Sequence, residues 1–110
     1  MTLRDQVEES VDEKIAAMEE DARKCAKNDF EAVANVVKDG NYHNFYKEGR
    51  KRVIILISRE KINENPVWKK AYKSTIKELL CHDGFKKKEV KVSFVQMAFS
   101  MAAVITLKIW

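Results

Sequence analysis

The sequence predicts an α+β domain: a long N-terminal helix plus a second helix, then a β-α-β-β body. In that body a small mixed sheet of about three strands has helices packed on it. Three observations predict it. Apolar residues recur at helical spacing through the first 39 residues, an unbroken apolar run stands at 53–57, and period-two alternation appears twice after residue 89.

The first helix is read from Leu3, Val7, Val11, Ile15, Met18, Ala22 and Cys25, spaced by fours and threes so that one stripe winds along residues 3–27. Thr2 with Asp5 three residues on resembles a capping box, with Asp in place of Glu. Asn28 followed by Glu31 offers a second helix start, so a separate helix is expected from about 29 to 39. It carries Phe30, Val33, Val36 and Val37, and Gly40 suits its C-terminal cap.

Residues 40–50 read as a connection that Tyr42, Phe45 and Tyr46 pin to the core. Val53-Ile54-Ile55-Leu56-Ile57 has no polar break, the pattern of a strand covered on both faces. A well-delimited helix follows. Asn65 is an N-cap, Pro66 takes the tolerated first position and Gly84 stands where a C′ glycine belongs. Val67, Trp68, Ala71, Tyr72, Ile76, Leu79 and Leu80 form its apolar face.

Val90, Val92 and Phe94 then alternate with Lys91 and Ser93, and Ile105, Leu107 and Ile109 with Thr106 and Lys108. A turn is expected near 96–100, although no glycine, proline or asparagine marks it. Val92 through Leu107 is sixteen residues without a charge. A spanning helix needs roughly 20 apolar residues, so two buried strands are the preferred reading and a membrane segment the lesser one. Strands apolar on both sides need two covers. The Pro66 helix supplies one. The N-terminal helix would supply the other or pair with its copy in a second chain, which makes a homodimer an expected partner arrangement.

With 110 residues, three glycines, one proline and no low-complexity tract, the chain is read as a single domain over 1–110. Its segments differ in charge. An acidic helical part spans 1–39 and a basic body 51–110: residues 1–31 hold ten acids and five bases, the remainder seven acids and sixteen bases. The start lacks the basic and apolar stretches of a secretory signal, and two cysteines make no disulfide framework, so an intracellular, cytoplasmic setting is expected.

The bases cluster. Lys69, Lys73 and Lys77 sit at i, i+4 and i+8 with Lys70 alongside, on the helix face expected to lie opposite the apolar one. Lys86, Lys87 and Lys88 follow in the loop, and Arg50, Lys51 and Arg52 precede the central strand. Together they would form a positive surface able to track the phosphate backbone of DNA or RNA. The alternative is a protein–protein module, such as an inhibitor, adaptor or assembly factor, acting through the acidic helix or an uncovered sheet face.

Catalytic and metal chemistry find little support. Cys81-His82-Asp83 are neighbours on a helix, about 100° apart, and do not face one another. Cys25, Cys81, His43 and His82 lie in distant segments with no local metal-ligand spacing. Gly40, Gly49 and Gly84 make no phosphate-cradling loop, and no cofactor motif is present. The expected protein is a non-enzymatic binder without a cofactor.

Overall fold

The helix start at Thr2 is a reciprocal cap. The Thr2 backbone N–H donates to the Asp5 carboxylate at 3.3 Å, and the Asp5 N–H donates to the Thr2 hydroxyl at 3.2 Å. The computed structural model describes residues 2–39, 43–47, 50–59, 63–96 and 100–109. From Thr2 one helix, α1, runs Leu3–Asp39 without interruption. The separate helix expected at 29–39 is therefore a continuation of the first. Asn28 lowers helix preference by only a fraction of a kcal/mol relative to alanine. Ala22, Ala26, Asp29 and Val33 are buried on both sides of it, at helical spacing. Continuous burial outweighs a local cap.

α2 (Pro66–His82) has the ends expected of it. The Asn65 side chain accepts from the Val67 N–H at 2.9 Å, and Pro66 opens the helix. At the other end Phe85 N–H donates to Leu80 C=O and Gly84 N–H to Cys81 C=O, each at 3.2 Å. This is the paired closure of a Schellman turn. It requires the left-handed φ of +103° that Gly84 adopts.

Among the described residues four strands form one sheet in the order β1 (His43–Lys47), β2 (Arg50–Arg59), β4 (Met101–Ile109), β3 (Val90–Gln96). The three strands read from the sequence are present. β1 is a short strand in the segment expected to be a connection, and it pairs with β2 at the edge. Every pairing is antiparallel, so the sheet is not mixed. β2 and β3 do run in the same direction, but β4 lies between them. Gln96 pairs with Met101, and the turn expected near 96–100 falls largely on residues 97–99, which lie outside the described residues. The uncharged stretch 92–107 thus contributes to two antiparallel strands, and no helix among the described residues is long and apolar enough to cross a membrane.

The register sorts the strand residues between two faces. Val53, Ile55 and Ile57 align with Leu107, Ile105 and Ala103, and these with Val90, Val92 and Phe94. That face meets Trp68, Tyr72, Ile76 and Leu80 of α2 and Ala22, Ala26 and Val33 of α1 in a single core. α1 lies against α2 and β2, and α2 against β3. Both helices therefore cover the same side. This rules out one of the two expected arrangements, the N-terminal helix on the other face: two helices side by side bury each other's flanks as well as the sheet, a larger apolar contact than either makes alone. Trp68 and Tyr72 stack at 5.3 Å with planes 12° apart, and Phe94 tilts against both.

Among the described residues no helix lies over the opposite side. Ile54, Leu56 and Ser58 of β2, Ala102, Val104, Thr106 and Lys108 of β4, and Lys91, Ser93 and Val95 of β3 occupy it by alternation. Leu56 is 47% exposed, whereas its neighbour Ile55 is 1% exposed. The run 53–57 is covered on one face only. Ala102 is fully buried although it stands on the open side, its methyl aligned between Ser58 and Val95 on an inner strand.

Candidate nucleic-acid interface

Successive residues of α2 differ by 100°, which divides the helix into four longitudinal rows. Trp68, Tyr72, Ile76 and Leu80 are the buried row. Val67, Ala71 and Thr75 turn toward Ile15, Glu19 and Arg23 of α1, with which they line a shallow hollow. Lys70, Ser74, Glu78 and His82 form the exposed outer row. Lys69, Lys73 and Lys77 form the fourth row, half-buried beside β3.

The lysine row does not lie opposite the apolar face, as the sequence reading has it. One residue past the buried row is a turn of about 100°, which brings these lysines to the flank of the helix; two residues past brings Lys70 outward. The stems of Lys69 and Lys73 accordingly lie on the sheet edge. Their ammonium groups stand 5.6 Å and 5.5 Å from the centre of the Phe94 ring, within cation–π range. Glu64, just before the helix, pairs with Lys69 at 2.8 Å.

A groove results between α2 and the edge strand β3. Lys69, Lys70, Lys73, Lys77 and Lys91 line it, with Glu64 as its one acid among the described residues. Lys77 also borders a second hollow that reaches Lys87 past Ser74, Cys81 and His82, with Glu78 as its acid among the described residues. The two hollows share a wall, so the positive lining continues from Lys69 at the start of α2 to the short 3-10 turn Lys87–Glu89 before β3. Lys86, Lys87 and Lys88 are all exposed there, and the Lys86 backbone N–H donates to Glu89 at 2.7 Å.

The second patch is placed only by backbone. The side chains of Arg50, Lys51 and Arg52 lie outside the described residues, as do those of Phe45 and Tyr46 and the whole of Tyr42. Register sets Arg52 opposite Lys108, one position beyond the Val53–Leu107–Val90 row. That is the end of the sheet where Lys86–Lys88 enter β3, two strand spacings or roughly 10 Å away. The basic loop and the start of β2 thus share one end of the molecule.

α1 leaves the lysine groove open. It lies on the other flank of α2, and no α1 residue lines the groove. Lys91 is the groove residue that the sequence reading missed as a site. It appears there as the polar member of an alternating strand, and its role depends on α2 lying over that strand. The short connection from Gly84 to Val90 was the available signal.

Cys81 is half-buried, while His82 and Asp83 are exposed at the end of α2. Among the described residues no group of three or more His, Cys, Asp or Glu side chains converges as metal ligands would. The carboxylates of α1 that do face the helices serve packing: Asp21 accepts from the Trp68 indole N–H at 2.8 Å, and buried Asp29 accepts from the Tyr72 hydroxyl.

No protein-family model matches this chain, and no match was found among curated proteins or solved structures.

Proposed function

We propose that the protein binds nucleic acid through its phosphate backbone, along the groove between α2 and β3. One observation carries the reading: five lysines line one groove with a single acid, and the acidic helix lies on the far flank of α2. Lysine contacts of this kind neutralise phosphates and release counterions without reading bases. Lys69, Lys73 and Lys77 repeat every four residues, a rise of about 6 Å, close to the spacing of successive phosphates on a single strand. Lys87 extends the track, with Lys86 and Lys88 beside it, and Arg50, Lys51 and Arg52 stand at the end it runs toward.

Fluorescence anisotropy with labelled DNA and RNA strands at several salt concentrations tests this. The expected outcome is binding whose affinity falls linearly with salt on a log–log plot. Reversing Lys69, Lys73 and Lys77 to Glu should reduce that slope by about 2 on a single strand, near 0.7 per phosphate contact. Lys91→Glu should weaken binding on its own, because the groove and not the helix alone is the site. Binding that survives the triple reversal with its slope unchanged would overturn the proposal.

A further inference from the structure

The first three turns of α1 carry an apolar stripe that no described residue covers. Leu3 is 80% exposed, Val7 62% and Val11 48%. The same stripe continues through half-buried Ile15 and Met18 to fully buried Ala22, where the helix docks on the body. The molecule measures 61 Å along its longest axis, and a 37-residue helix is about 55 Å long, so α1 runs out past the body.

A second apolar surface is the open side of the sheet. Leu56 aligns with Val104, and Val95 stands one row further on; Leu56 and Val95 are 47% and 48% exposed. The two surfaces are opposite in charge. Residues 3–14 hold five acids and two bases. Lys108 stands on the open sheet side, where no described acid falls by alternation; Lys91 on the edge strand lines the α2–β3 groove instead.

These surfaces cannot meet within one chain. α1 is unbroken from residue 3 to 39, contains neither glycine nor proline, and is held on the opposite side of the sheet. Two copies of the helix facing each other would bring ten acids together, which disfavours helix-to-helix pairing. A helix on a sheet suits both charge and size. Residues 3–14 span about 18 Å, and four strands spaced by roughly 4.8 Å present about 14 Å between outer axes.

We infer that the occupant is a second copy of this chain: the projecting part of α1 in each copy lies across the open sheet face of the other. Two reciprocal contacts close a symmetric dimer. Leu3, Val7 and Val11 meet the surface around Leu56, Val104 and Val95, with Lys108 beside the helix carboxylates. The lysine groove stays outside the contact, so a dimer would carry two grooves.

Sedimentation velocity on the full chain tests this, alongside Leu56→Glu on the sheet and the pair Val7→Lys, Val11→Lys on the helix. Each puts like charge against its partner surface at an exposed position, and far-UV circular dichroism verifies folding. The expected result is a wild-type species of twice the 12.8 kDa chain mass. Either variant should be monomeric at the same concentration. Mixing the two should restore a weaker dimer, because one intact helix then meets one intact sheet. Val95→Glu reads the same face should Leu56→Glu fail to fold. A monomeric wild type at 200 µM (~200 µM being a generous ceiling for a dimer of standard interface size) would overturn the inference. So would a sheet variant that still dimerises, which indicates helix pairing, or a helix variant that does, which indicates sheet-to-sheet contact.

Discussion

The two halves of α1 carry the same apolar periodicity and meet opposite fates. From Ala22 to Val33 the stripe is small residues and a carboxylate, and it is buried against α2 and the sheet. From Leu3 to Val11 it is larger aliphatic residues, and it faces outward. Periodicity marks the side of a helix that wants cover. It does not say whether the cover comes from the same chain. Residue size does carry part of that information: Ala22 and Ala26 have no exposure at all, as close helix approach requires, whereas leucine and valine at the outer positions leave room for a separately formed surface.

The comparison breaks most strongly at Trp68. Its indole N–H holds Asp21 of the docked half, and its ring stacks on Tyr72. Trp68→Ala removes that ring from a site only 2% exposed and should lower stability by about 3–5 kcal/mol in urea unfolding. For a chain of this length that is a fall in Tm of well over 10 °C, at about 4–8 °C per kcal/mol. A loss under ~1 kcal/mol would mean that α1 and α2 are not packed through this residue.

The next effect in size concerns Asp29, a buried carboxyl 7% exposed that accepts from the Tyr72 hydroxyl. Asp29→Ala should cost about 1.5–3 kcal/mol, the range for hydrogen bonds to charged groups. Ala26→Leu is expected within a similar span, about 1–3 kcal/mol, because the added side chain must fit where no space is exposed. Both substitutions lie in the docked half. Val37→Ala, on the outward side of that half at 44% exposure, should be near neutral and serves as their control.

How much of this was legible beforehand depends on whether the signal is local. The ends of α2 were readable because Asn65, Pro66 and Gly84 act on backbone groups within a few residues of themselves. The strands at 53–57, 90–94 and 105–109 were readable from alternation or an unbroken apolar run. The break at Asn28 was misread because a weak local cap competes with burial that only tertiary contact supplies. The sheet's one-sidedness was misread for a related reason. Leu56 and Ile55 are equally apolar, and only the placement of α1 beside α2 distinguishes them. For the lysines, sequence spacing identified the row Lys69, Lys73 and Lys77 but not its direction. That depends on which flank of α2 meets β3. Lys91 could enter the groove only once that flank was known.

The smallest expected effect is the most discriminating. Val7→Ala removes two methyl groups from a position 62% exposed within the monomer. In a chain dilute enough to be monomeric, its unfolding free energy should match wild type within about 0.5 kcal/mol, since exposed substitutions rarely do more and alanine favours helix. At concentrations where copies associate, the same change should weaken the dimer measurably, because a buried methylene is worth roughly 0.8 kcal/mol. A residue that matters only above the association threshold must be covered by another molecule. If Val7→Ala instead costs ~2 kcal/mol in the dilute chain, the outer turns of α1 are packed within their own copy. The division of the helix at Ala22 would then have to move toward its start, and with it the surface offered to a second chain.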